Sequence, residues 1–395
     1  MTDGGERPGS HAAPGDAESA RSDDAGSESR GLAASLTRRR LTIAGTALVL
    51  VGLVVALRDI DVRTVVGDVA SADPRLLGAA VAVYAASWPL RGRRYGDVLA
   101  TIGHRGGTAF CTLAVFVSQT VNLAIPARAG DAARAYVVNA RRDVPYTAGF
   151  ASLAVERVFD LATIAVLASL ATAWLALGGA AGPLEIAAQA GAARTALLAA
   201  GVVSTATIGV GFVVVTSARI DCGPGAWLRA RVRGRPRLEG AVAAALRFAG
   251  DVQVVARRPQ AAATIGAASL AIWALDVLTA VLVFAALDGG LPIAALLSVG
   301  TLAVSVGNLA KVLPLSQGGV GFYEAAFTAL VVGLTPVGAS TALAAAIVDH
   351  ALKNGVTLVG GTGAVAALGL SLSDAADAET EPTGGTGSFL GKPKR

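Results

Sequence analysis

Windows of about 20 apolar residues recur along this chain, near 41–57, 75–90, 161–180, 195–216, 261–287 and 339–370, each long enough to cross the hydrocarbon core of a bilayer. Lipid offers no water to an unpaired amide or carbonyl, so such segments must close their own hydrogen bonds as helices. Further apolar stretches fall at 108–125, 292–313 and 325–334. Hydrophobic residues make up 53% of the chain against 15% charged, and the 48 glycines are small enough to let membrane helices approach closely. The mean hydropathy of +0.60 excludes an ordinary soluble domain. The expected fold is an all-α polytopic membrane protein of roughly six to eight transmembrane helices.

The ends are different material. Residues 1–37 and 373–395 are rich in Gly, Ser, Asp and Glu or Thr, with too little to bury, and are predicted to be disordered. The membrane domain is expected over 38–372. Its first apolar run follows Arg38-Arg39-Arg40 and is read as a retained anchor rather than a cleaved leader, because no apolar core lies within the opening stretch. Basic clusters set orientation by the positive-inside rule. Arg38–Arg40, the group Arg91, Arg93, Arg94 and Arg105, and the loop at about 217–260 are all assigned to the cytoplasm. The result is a multi-pass cell-membrane protein with both termini cytoplasmic.

Two charged phrases interrupt the apolar sequence, and they rhyme. The first, NLAIPARAGDAARAYVV, holds Asn122, Pro126, Arg128, Gly130, Asp131 and Arg134. The second, NLAKVLPLSQGGVGFYEAAF, holds Asn308, Lys311, Pro314, Gly318, Gly319, Gly321 and Glu324. Asp131 is followed 25 positions later by Glu156, and Glu324 is followed 25 positions later by Asp349, so two related halves are expected. Each phrase reads as a broken or re-entrant helical hairpin. Basic residues bracket the first phrase, whereas weakly charged loops near Asp288 and Thr335 bracket the second, which sends the hairpins in from opposite faces as an inverted repeat. The alternative is that 108–125 and 292–313 cross fully, giving a parallel repeat.

Proline breaks a helix and glycine lets backbone turn near a ligand. Unpaired backbone at membrane depth requires protein or a wet cavity around it. The helix that restarts after each break offers amide hydrogens and a partial positive charge to an anion, and Arg128, Arg134 and Lys311 are candidates to add phosphate contacts. The bland reading is that Asp131 and Glu324 only stabilise the starts of their helices. A second tier of charge follows on the next helices: Glu156, Arg157 and Asp160, then Asp349, His350 and Lys353. Residues four apart share a face, and ionisable groups in the membrane normally pair inside the bundle. They either lock helices together or line a polar path, with proton coupling at Glu156, Asp349 or His350. Asp276 is a further intramembrane acid whose partner is left open between Arg157 and Lys353.

These residues carry a resemblance. The phrases PARAGDAAR, ERVFD and PLSQGGVGFYEAA together resemble the lysylphosphatidylglycerol synthase transmembrane region, also called the flippase-like family, over about 40–370. The resemblance implies movement of a polar-headed lipid between leaflets, either an aminoacylated phospholipid or a polyprenyl-phosphate sugar. It marks Pro126, Arg128, Gly130, Asp131, Arg134, Glu156, Arg157, Asp160, Pro314, Gly318, Gly319, Gly321 and Glu324 as the polar phrases. Ser316-Gln317 and Phe322-Tyr323 stand where many members carry Pro-Gly and an arginine beside the acid, which removes one anion contact from the second hairpin.

No phosphate-binding loop, zinc-protease motif or hydrolase elbow is present in the sequence, and a stand-alone membrane domain, without an attached synthase or glycosyltransferase domain, is expected. His11, His104 and His350 are too scattered for a metal triad, and Cys111 and Cys222 carry no disulfide or metal signature. No cofactor, metal or nucleic-acid partner is expected. The basic loop instead suits anionic headgroups at the cytoplasmic face. The leading expectation is a non-enzymatic flippase-like protein moving a phospholipid or lipid-linked sugar, either downhill or driven by an ion gradient. Two competitors are a non-transporting partner subunit of a separate synthase or glycosyltransferase, and an intramembrane lipid-modifying enzyme using paired carboxylates.

Overall fold

The computed structural model describes residues 61–125, 129–177, 231, 238–240, 242–243, 253–255, 257–287, 291–310 and 317–370. The expected spans at 41–57 and 195–216, both tails and most of the basic loop lie outside the described residues, as do Pro126, Arg128, Lys311 and Pro314. Among the described residues all regular structure is helical. The helices are α1 (Val62–Ser71), α2 (Pro74–Thr101), α3 (Thr108–Ala124), α4 (Ala129–Arg142), α5 (Tyr146–Leu177), α6 (Pro259–Ala286), α7 (Ile293–Ala310), α8 (Phe322–Leu334) and α9 (Ala339–Leu368). A 3-10 turn, Gln317–Gly319, leads into α8.

Local chemistry explains several starts. Asp61 accepts the Arg63 amide at 2.9 Å to open α1, and Asp73 accepts the Arg75 amide at 2.7 Å, with Pro74 at the first turn of α2. Each side chain satisfies an amide that has no partner within its helix. Among the described residues three helices, α5, α6 and α9, with 32, 28 and 30 residues, are long and apolar enough to cross a membrane.

The helices on either side of each break pair as a hairpin. Helices α3 and α4 have 17 and 14 residues, about 25 and 21 Å at 1.5 Å per residue, short of a hydrocarbon core of about 30 Å. They run antiparallel. At the break, Asn122 Oδ1 accepts the Gly130 amide at 2.9 Å, and at the other end the Arg142 guanidinium lies 4.7 Å from the Phe110 ring. Helices α7 and α8 pair likewise, with Gly307 against the Tyr323 ring. The glycine turn of the second hairpin touches the end of the first, since a Cβ on Gly318 would lie 2.9 Å from Leu123 Cδ2.

Helices α2 and α6 lie side by side and antiparallel. The Asp73 amide reaches the Ala286 carbonyl at 2.9 Å near one end, and Arg94 reaches Ser269 at 2.8 Å toward the other. Helix α3 packs on α9, where Gly360 and Gly361 face Phe116 and Thr120 and the Thr120 hydroxyl donates to the Thr357 carbonyl at 3.1 Å. Small residues are what permit this approach. Helix α5 packs on α7. The larger apolar core, around Phe284, Phe327 and Leu330, lies among α5 to α9. A second core, with Trp88 stacked on Phe116 at 3.6 Å, joins α2 to α3.

Two boundaries differ from expectation. The segment at 75–90 does not end before a basic loop, because α2 continues to Thr101 and carries Arg91, Arg93 and Arg94 within it, with Arg94 buried. Of that basic group, only Arg105 lies between helices, so the orientation argument loses most of its second cluster. Likewise the helix expected at 161–180 begins at Tyr146. In both cases charged residues lowered the local hydropathy, and tertiary pairing supplies the compensation that a hydropathy window cannot register.

Gly130 is required by proximity. A Cβ there would run into the Ser118 carbonyl oxygen and the Asn122 side chain. Gly130→Ala is therefore expected to cost about 1–3 kcal/mol by overpacking, read as a lower Tm of the purified protein. Gly67→Ala on α1, where nothing lies within 4 Å, is the matched control and should leave Tm unchanged or slightly raised.

Candidate functional site

The buried charges gather where the long helices meet the hairpins. In the first network Glu156 of α5 stands between two arginines. Its Oε1 accepts from Arg94 at 3.2 Å and its Oε2 from Arg134 at 2.5 Å. One turn on, Asp160 accepts from Arg94 at 2.5 Å and from the Trp273 indole at 3.0 Å. Arg94 also donates to Ser269. Arg134 lies 5.0 Å from the Tyr95 ring centre and is only 2% exposed. Two guanidinium groups thus balance two carboxylates, tying α2, α4, α5 and α6 together in a setting where an unpaired charge is costly.

At the rim of this network Asp131, in the first turn of α4, pairs with Arg157 at 3.4 Å, with side-chain exposures of 20% and 33%. This pair is the more open part of the site.

The second network centres on Lys353 of α9, whose ammonium is 2.9 Å from Asp349 and 3.1 Å from Asp276. Arg91 approaches Asp276 at 3.9 Å, and Asn308 donates to it at 3.4 Å. The Tyr323 hydroxyl donates to Asp349 Oδ2 at 2.5 Å. Asp349 is fully buried, yet its Oδ1 has no hydrogen-bond partner among the described residues.

The glycine turn is held separately. Gly318, Gly319 and Gly321 have φ of 61°, 78° and 86°, a region that side chains disfavour. Glu324 Oε2 accepts the Gly321 amide at 2.7 Å, and its Oε1 meets His350 Nδ1 at 2.5 Å. His350 Nε2 faces the Gly318 carbonyl at 3.2 Å.

The expected site residues are thus brought together in part. Glu156, Asp160 and Arg134 share one network. Asp349, Lys353 and Asn308 share another, with Asp276 partnered by Lys353 rather than Arg157. Asp131 pairs with Arg157, and Glu324 with His350. The two rhyming asparagines do different work, since Asn122 caps the restart of α4 while Asn308 supports Asp276. Two of the amides expected to face an anion are already occupied, Gly130's by Asn122 and Gly321's by Glu324. Arg134 spends its charge on Glu156 rather than on an open cavity.

Arg91, Arg94, Ser269, Trp273, Tyr95 and Tyr323 belong to these networks and were not among the expected site residues. A signal for the arginines was present: Arg91 and Arg94 are three apart, on one helical face, although Pro89 and Gly92 beside them read as breakers.

The sequence profile of the family described as the lysylphosphatidylglycerol synthase TM region matches residues 42–361. The chain belongs to this family. With its long apolar helices, this member of the lysylphosphatidylglycerol synthase TM region family is a membrane protein. It is 45% identical over 359 residues to a protein of Haloferax volcanii named Glycosyltransferase AglD. That alignment covers 88% of this chain and 57% of the relative, so the chain spans a little over half of the relative's length.

Proposed function

We propose that this family member carries the polar headgroup of a lipid between leaflets without altering its chemistry, the headgroup travelling through a groove between two opposed hairpins while the tails remain in lipid. The observation that carries the reading is the meeting of the hairpin ends, Gly318 against Leu123, beside two buried charge networks. Helix order supports an internal repeat. Helices α2 to α5 have 28, 17, 14 and 32 residues, and α6 to α9 have 28, 18, 13 and 30. The leading helices of the two sets, α2 and α6, run antiparallel, which supports a reading in which the sets are related by inversion and their short hairpins enter from opposite faces, the arrangement of alternating-access transporters.

The name of the Haloferax relative favours a polyprenyl-phosphate-linked sugar over a simple phospholipid as cargo. The same name also favours a second reading, in which the domain is a membrane partner of a glycosyltransferase and moves nothing. Both termini are assigned to the cytoplasm, with the basic loop at about 217–260 against anionic headgroups.

The test is a leaflet-accessibility assay on the full chain in liposomes holding a fluorescent phospholipid or polyprenyl-phosphate sugar. Wild type is expected to expose lipid from the inner leaflet chemically unchanged. Arg128→Ala and Asp131→Asn are expected to slow this about 10- to 100-fold, the kinetic equivalent of losing one charged hydrogen bond of about 1.5–3 kcal/mol. No movement of either lipid, together with co-purification of a glycosyltransferase, would favour the partner reading. Recovery of altered lipid would establish an enzyme.

A further inference from the structure

The Glu324–His350 pair differs from the other ion pairs of the bundle because both imidazole nitrogens are engaged by acceptors. Nε2 faces the Gly318 carbonyl at 3.2 Å, and a carbonyl only accepts, so Nε2 carries hydrogen. In a neutral ring the other nitrogen then presents a lone pair. Nδ1 lies 2.5 Å from Glu324 Oε1, a distance two facing lone pairs cannot hold in a buried site. One proton therefore lies between them, on nitrogen or on oxygen. If that proton leaves, the ring must either part from Glu324 or shift its remaining hydrogen to Nδ1, which turns the Nε2 lone pair against the Gly318 carbonyl. In either case the arrangement that pins the turn is lost.

We propose that His350 and Glu324 form a proton-operated latch on the glycine turn of the second hairpin, closed when the shared proton is present and open when it has passed to water. Resting on the transport reading above, the latch couples headgroup movement to proton movement. At the turn itself Val320 is 57% exposed. Among the described residues, the other ionisable groups around the ring come from α9, α8, α6 and α2. Asp349 and Lys353 flank it on α9, and Tyr323 of α8 sits 4.9 Å away ring to ring. Asp276 of α6, with Arg91 and Tyr84 of α2, lies beyond Lys353. Asp349 and Asp276 already share the Lys353 ammonium, and Glu324 is the carboxylate bonded to the imidazole.

The closed state binds one proton more than the open state, so its stability falls as pH rises through the titration of the pair, and the open fraction grows about tenfold per pH unit. Amide hydrogen exchange at residues 317–323 of the full chain in lipid, corrected for intrinsic rates, reads this directly. Wild type should lose protection with that slope. Glu324→Gln should stay protected at every pH, because the glutamine amide donates to Nδ1 while its oxygen still accepts from Gly321. His350→Phe should be unprotected at every pH. A flat wild-type profile, or Glu324→Gln as open as His350→Phe, overturns the latch. In liposomes, reversing an imposed pH gradient should change wild-type lipid flux severalfold and leave Glu324→Gln indifferent. A pH-dependent latch with gradient-blind flux overturns the coupling. If no flux is seen under any condition the transport reading falls, while hydrogen exchange still decides the latch.

Discussion

Glu156→Ala is expected to be the most damaging truncation in the first half of the bundle. It strands the Arg134 guanidinium, 2% exposed, and leaves Arg94, 4% exposed, with Asp160 as its remaining carboxylate, and removing one partner of a buried ion pair costs about 3–5 kcal/mol. That is a large part of the stability a folded domain has, about 5–15 kcal/mol. Arg134→Ala should be milder, because Glu156 keeps Arg94. Arg93→Ala, at a side chain 67% exposed, should be near neutral. Thermal unfolding in detergent, with the yield of folded protein, gives the ranking. If Glu156→Ala proved no worse than Arg93→Ala, the network would have no structural weight.

Lys353→Met is expected to be comparably severe, about 3–5 kcal/mol, for the opposite electrostatic reason. It leaves Asp349, with its side chain fully buried, and Asp276, with its side chain 6% exposed, without their shared cation. Arg91 stands 3.9 Å from Asp276 and can move to it, but the Tyr323 hydroxyl offers Asp349 only a neutral donor. The loss should therefore be reversed largely by Asp349→Asn in the same chain, since the asparagine carbonyl still accepts from Tyr323 and brings no charge. A thermodynamic cycle of the two single variants and the double variant checks this. Additive losses would show that Lys353 and Asp349 do not depend on each other.

The membrane class, the hairpins and the second-tier charges were legible because each depends on local chemistry. Apolar windows report lipid exposure, Pro and Gly report breaks, and carboxylates four apart report a shared face. The bounds of α6, α9 and α3 follow the apolar stretches closely. Where charge entered a helix the reading failed. Arg91 and Arg94 resembled a cytoplasmic loop because hydropathy counts a guanidinium as polar, whereas in the fold Glu156, Asp160 and Asp276 meet it and the helix runs on to Thr101. The rhyme between the two phrases has limits, for Asn122 and Asn308 match in sequence yet one caps a helix and the other supports an acid.

The sequence by itself determined that this chain must be helical, membrane-embedded and interrupted by two charged phrases holding Pro and Gly, because period, length and breaker residues act over a few positions at a time. Only the tertiary structure decided which charge meets which. It drew Asp276 to Lys353, Arg134 to Glu156 rather than to an open groove, and His350 to both Glu324 and the Gly318 carbonyl. Those partners lie 22 to 77 positions apart, and in a low-dielectric interior the helix packing that brings opposite charges within about 3 Å sets their energies.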